Sequence, residues 1–268
     1  VGDDIARAVA TALTAALAMP DATGTQRDPR ATAHYLEGKA TLRVAWRDAS
    51  LEPAIVDLEA ALALAPEDPD ILAALAMAFA RSSFQNRRNS LPQAMELAER
   101  AVQRGPSSGE AWLALAFARL YAGRSSEAAF AASRSVLRAP GLAVGQSLLG
   151  SMLLEAAALD GAITHLEAAH AVDPITEALW DLSRAHAYAG KYELAFSRLR
   201  ASTYAPYFCD IQIARFRMWR GETSEARLPD RPDGVAPILH DFGTIFSNIM
   251  RTRQYGDQLR SLDHIDNP

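Results

Sequence analysis

Six histidines, one cysteine and two clusters of acidic residues are the side chains here whose chemistry could turn over a substrate or hold a metal. Zinc ligation or general-base catalysis needs such side chains at spacings that bring them to one face. His165 and His170 lie five apart in a helical stretch, so they do not point one way as an i, i+4 pair would. His34, His186, His240 and His264 have no motif neighbours, and Cys209 has no second cysteine to pair with. Glu67, Asp68 and Asp70 sit between helical patterns, where carboxylates cap the next helix. Asp230 and Asp233 fall in a proline-rich stretch without the ligand spacing of a calcium loop. No phosphate loop, dinucleotide turn or nucleophile elbow occurs. The expectation is no catalytic residue, no metal site, no cofactor and no enzyme.

The elements that carry these residues read as helices. Of 268 residues, 49% are apolar and 22% charged, the balance of a folded protein and not of a disordered one. Alanine dominates the apolar share, which favours helices and lets them approach closely. A net charge of -5 argues against nucleic acid, whose phosphates need clustered Lys and Arg. With one cysteine no internal disulfide forms, so an oxidising compartment is not required. Ile5 to Met19 is apolar but alanine-rich, interrupted by Arg7 and preceded by Asp3 and Asp4. It is too short to span a membrane and lacks the basic start of a secretion signal. A cytoplasmic location without membrane contact is expected. The chain begins at Val1 and not at Met, as a fragment or processed form would.

The helical pattern repeats. Four segments close on a proline, at Pro66, Pro106, Pro140 and Pro174, spaced 40, 34 and 34 residues apart. Ala54, Leu58 and Ala61 share their offsets from the closing proline with Ala94, Ala98 and Ala101, then with Ala128, Ala132 and Ser135, then with Ala162, Leu166 and Ala169. The preceding helix has its own signature: Trp112, Leu115, Ala116 and Gly123 stand 34 residues before Gln146, Leu149, Gly150 and Ala157. Leu179, Leu182, Ser183 and Gly190 repeat it with one residue deleted, followed by Ala195, Leu199 and Pro206. Small residues such as Ala116, Gly150 and Ser183 mark where the two helices of a hairpin cross closely. Gly123 and Gly190 fall where the first helix must stop, and the prolines end the second. The first two units are longer, by about four residues between Gly38 and Ala54 and about six between Ala76 and Ala94. These surpluses are expected to lengthen helices or to form edge loops.

This 34-residue pattern of an aromatic, a Leu, a small residue, a downstream Ala and a closing Pro resembles the tetratricopeptide family. The resemblance implies an all-α fold, a right-handed α-solenoid of helix-turn-helix repeats, with five repeats over 31–206. Residues 1–30 read as a leader helix (Ile5 to Met19) and a linker (Pro20 to Pro29). Residues 207–268 read as a degenerate repeat and cap, with helices over Ile211 to Arg220 and Val235 to Arg253 and a last short one near Leu259 and Leu262. The leader followed by Tyr35-Leu36-Glu37-Gly38 resembles repeat regions that follow the output domain of bacterial cyclases, receptor-like Ser/Thr kinases and winged-helix activators.

The family's groove positions transfer to Tyr35, Lys39 and Arg43 in the first unit, Met77 and Arg81 in the second, and Phe117 and Tyr121 in the third. Ser147, Ser151 and Glu155 follow in the fourth, and Trp180, Arg184 and Tyr188 in the fifth. The implied role is a protein-interaction scaffold or regulatory module of a bacterial signalling protein. Its partner would be a protein or peptide with an acidic element, met by Arg43, Arg81 or Arg184. The Lys/Asn clamp of chaperone-binding relatives is not matched. Two alternatives stay open: an enzyme site near Asp210, His240 and Asp241 at the irregular end, and self-assembly through the ends of the stack.

Overall fold

Each closing proline does end a helix. The computed structural model describes residues 27–44, 50–84, 89–174, 178–202, 206–222 and 230, and among these there are eleven helices and no strand. They are α1 (Pro29–Val44), α2 (Glu52–Leu64), α3 (Pro69–Phe84), α4 (Leu91–Arg104), α5 (Gly109–Tyr121), α6 (Ser125–Arg138), α7 (Ala143–Glu155), α8 (Leu159–Val172), α9 (Ala178–Tyr188), α10 (Tyr192–Ala201) and α11 (Pro206–Arg220). The first ten pair in order into five hairpins. Two compact units, 1–149 and 150–268, divide the chain within α7. The leader helix and the helices expected over Val235 to Arg253 and near Leu259 and Leu262 lie outside the described residues.

The repeated small positions are where the hairpins close. All twelve residues of the series from Ala54 to Ala169 are fully buried. Ser135, the one polar member, donates its hydroxyl to the Gly109 carbonyl at 2.8 Å, so its burial leaves no polar group unpaired. A Cβ built on Gly38 would come within 2.6 Å of Leu58 Cγ, and one on Gly150 within 2.7 Å of Leu166 Cγ. Both glycines therefore stand where a helix pair crosses at closest approach, across the same leucine of its repeat.

The closing prolines also supply acceptors in register. Trp112 Nε1 donates to the Pro106 carbonyl at 2.9 Å, and Gln146 Nε2 to the Pro140 carbonyl at 2.8 Å. The two residues differ completely in shape yet share a donor at the same offset. The surplus residues of the first two units go partly into helix: α1 and α3 each have 16 residues, against 13 in α5 and in α7. Pro206 opens α11 instead of closing a helix, because a proline at a first helical position forgoes no intrahelical bond.

The turns after α5, α7 and α9 each use a left-handed residue. Gly123 has φ +75° and Gly190 φ +74°, and at the same place in the repeat between them Ala157 is held at φ +58°. A side chain costs roughly 1 kcal/mol or more in that region. Ala157→Gly is thus expected to stabilise the protein by about 0.5–1 kcal/mol, read as a higher urea midpoint at unchanged m-value.

Candidate functional site

In unit 1 the candidate groove positions on α1, α3 and α5 fall in separate places, and two of them, Tyr35 and Lys39, lie in one charged cluster. Asp68 caps α3, its Oδ1 accepting from the Asp70 and Ile71 amides at 3.0 and 3.2 Å. The same carboxylate accepts from Arg27 Nε at 2.6 Å and from its Nη2 at 2.9 Å, and Asp70 accepts from Nη2 at 3.1 Å. Arg27 stands over the Tyr35 ring at 4.7 Å and Lys39 Nζ lies 5.2 Å from the same ring centre. Lys39 Nζ donates to both oxygens of Glu110, at 2.6 and 2.8 Å, and the Tyr35 hydroxyl donates to Glu110 at 3.4 Å. Three carboxylates and two cations thus surround a buried phenol.

The electrostatics follow. Burial raises the Tyr35 hydroxyl's pKa far above its usual range, and Glu110 adds to the shift, so the phenol stays a donor. Burial likewise raises Asp70 above the ordinary carboxylate range, helped by the charges of Glu110 and Asp68. Burial works against the charge on Arg27, but its hydrogen bond to Asp68 and the charges of Asp68 and Asp70 outweigh it.

Arg81 and Phe117 are almost wholly inside, at 6% and 4% exposed. Arg81 Nη1 donates to the Leu42 carbonyl at 2.7 Å, in the last turn of α1. It works as a strut between α3 and α1. Met77 is half-buried, and Arg43 is exposed at the end of α1. Tyr121 stacks on Phe84 with centroids 4.8 Å apart and planes 16° apart, and it leans on Phe117 at 5.8 Å. Phe84 is 68% exposed. The pair borders an open cavity of about 580 Å³ lined also by Ser83, Leu120 and Gly123.

Unit 2 gathers its own set. The Ser151 hydroxyl donates to Asp181 Oδ2 at 2.5 Å, Arg184 Nη1 to Asp181 Oδ1 at 2.9 Å, and Arg184 Nη2 to Glu155 at 2.6 Å. Arg184 also lies over the Tyr188 ring at 5.9 Å, and Tyr188 packs on Trp219 at 5.4 Å. Burial lowers the Arg184 pKa, yet hydrogen bonds to Glu155 and Tyr188 and the charge of Asp181 leave it raised. Burial, with the charge of Arg184, lowers that of Arg215, which sits 5.7 Å from the Trp219 ring. Trp180 is half-buried against a core of Phe196, Leu199 and Phe216.

Sequence reasoning passes over Arg27, Asp68, Asp70, Phe84, Glu110, Asp181 and Trp219 as parts of these sets. Phe84 lies seven residues beyond Met77, on the same helical stripe, which was a usable signal. Lys39 and Glu110 are 71 residues apart, and no local pattern joins them. Among residues weighed for chemistry, Asp210 is exposed on α11, while His240 and Asp241 lie outside the described residues. His186 is 2% exposed with neither ring nitrogen hydrogen-bonded among the described residues, and burial, with Arg198, lowers its pKa. It is a neutral core residue. Cys209 is buried against Ser202 and the Leu199 carbonyl.

Helix pairs in this register, closed on small residues and ended by proline or a left-handed glycine, define the tetratricopeptide-repeat fold. A thermophilic TPR protein of Thermus thermophilus, TTC0263, is similar at a TM-score of 0.54 and 18% identity, over 69% of this chain and 98% of that one. A crystal structure of MamA is similar at 0.42 and 16%, over 75% and 98%. MamA from Desulfovibrio magneticus RS-1, from residue 41 to its end, is similar at 0.43 and 18%, over 65% and 93%. No family model and no curated protein matches the chain. Among the described residues no helix is long and apolar enough to cross a membrane.

Proposed function

We propose that the chain is a protein-interaction scaffold whose first-helix faces bind a peptide or protein segment carrying both an aromatic or aliphatic anchor and a carboxylate. The observation that carries this is Phe84: a ring 68% exposed, yet stacked on Tyr121 beside an open cavity. An exposed aromatic already stacked on a neighbour has less freedom to lose on binding, and aromatic residues anchor interfaces. The carboxylate would be received in unit 1 by Lys39, whose ion pair with Glu110 is about one-third exposed on both sides. An exposed pair is worth only about 0–1 kcal/mol, so a partner's carboxylate exchanges for Glu110 at low cost. Arg184, whose partner Glu155 is 67% exposed, offers the same exchange in unit 2. Arg81 does not, being buried as a strut. The Tyr35-Leu36-Glu37-Gly38 resemblance supports a regulatory place for this scaffold in a bacterial signalling protein.

The test is selection of binding peptides from a displayed random library, followed by affinity measurement on variants. Selected peptides should share an apolar anchor and an acidic residue. Phe84→Ala should weaken them by about 2 kcal/mol, near thirty-fold, and Lys39→Ala by less. Peptides that bind both variants as tightly as the parent would place recognition elsewhere.

A further inference from the structure

His34 has no ligand-type neighbour along the sequence except Glu37, one helical turn on, but the fold brings a third donor to it. His34 Nδ1 lies 3.3 Å from Asp57 Oδ1, on α2 of the same hairpin. A ligand atom from each of His34, Glu37 and Asp57 falls within 4.8 Å of the other two. We propose that these three side chains form a binding site for a divalent transition ion of the zinc class, with a fourth position open to water or to a partner's donor.

Three observations support the site independently. First, ligands at 2.0–2.2 Å around a tetrahedral ion stand roughly 3.3–3.6 Å apart, so the His34–Asp57 separation already equals a coordination edge. As a hydrogen bond, the same distance is long. Second, the frame is rigid. His34 and Glu37 share a face of α1 by their spacing of three. Asp57 lies next to Leu58, whose side chain is locked against Gly38 at the hairpin's closest crossing. A site carried on packed helices needs little rearrangement to bind. Third, among the described residues no Lys or Arg forms an ion pair with Glu37 or Asp57. Among the described residues, then, neither carboxylate beside this imidazole has a Lys or Arg partner.

The donor set also selects the ion. One imidazole nitrogen with two carboxylate oxygens suits zinc, cobalt or nickel, whereas magnesium and calcium favour all-oxygen shells. The side chains are half-exposed to exposed, so the site is accessible without opening the core.

The test uses the whole chain freed of metal with a chelator and titrated with Zn²⁺ by calorimetry, and with Co²⁺ by visible absorption. One equivalent should bind. Cobalt should show the intense bands of four- or five-coordination, and Mg²⁺ at the same concentration should give no heat. His34→Asn and Asp57→Asn should each weaken Zn²⁺ binding by about ten-fold or more, while His170→Asn should leave it unchanged. Both active variants are polar surface changes, and retained helical circular dichroism separates loss of binding from loss of fold. Absence of any zinc heat up to millimolar concentration, or equal affinity in all three variants, would overturn the assignment.

Discussion

Asp68→Ala is expected to destabilise unit 1 by about 3 kcal/mol, more than a lost helix cap alone explains. The carboxylate is 2% exposed and has two separate duties. It caps α3 through the Asp70 and Ile71 amides, a contribution of about 1 kcal/mol. It also accepts two hydrogen bonds from Arg27, whose side chain is only 12% exposed. Alanine leaves that guanidinium buried with Asp70 as its remaining acceptor at 3.1 Å, and an uncompensated buried charge is the costly part. Asp68→Asn keeps an acceptor for the cap and removes the charge, so its loss should fall between alanine and the parent. Urea denaturation followed by circular dichroism reads both. A loss of only about 1 kcal/mol for alanine would mean that Arg27 adds nothing to the folded state. The same pair bears on the stretch from Pro20 to Pro29, read from sequence as a linker with little to bury. Its end is fastened, because Arg27 reaches into the first hairpins.

Gly38→Val should cost about 2–4 kcal/mol, at the upper end for overpacking. The new Cβ alone would sit 2.6 Å from Leu58 Cγ, 2.9 Å from its Cδ2 and 3.3 Å from the Ala54 carbonyl oxygen. Leu58 is fully buried and has no room to swing, and the Ala54 carbonyl belongs to the backbone of α2. Gly38→Ala should be milder, since alanine recovers up to about 1 kcal/mol of helix propensity. The mechanism is separable from a general intolerance of change at this site. If the clash is with Leu58, then Gly38→Ala combined with Leu58→Ala should be less harmful than the two single losses added, by about 1 kcal/mol. Strict additivity would show that the helices do not cross there. Gly150 and Leu166 offer the same experiment in unit 2, at 2.7 Å.

The comparison of these two glycines shows why the repeats were legible. Ala54 follows Gly38 by 16 residues and Ala162 follows Gly150 by 12, yet each pair meets the same leucine in the same way. The four extra residues between Gly38 and Ala54 leave the crossing unchanged. In a repeat fold each unit packs on its sequence neighbours, so burial has a short period that the chain displays openly. Ala94, Ala128 and Ala162 are buried because each occupies one place in one local motif, and Ala157 adopts a glycine's φ for the same reason. The sequence by itself therefore determined the helices, the turns and the small-residue seam.

What faces the seam's outer side was decided by tertiary structure alone. Arg81 has the composition of an anion receptor, but the angle between α1 and α3 turns it onto the Leu42 carbonyl. Lys39 finds Glu110 across 71 residues, and His34 finds Asp57 across 23. Those meetings depend on the rotation from one helix to the next and on how far α1 and α3 extend beyond the later first helices. Periodicity records which residues are buried; it does not record which distant side chains the stacking angle brings within a hydrogen bond of each other.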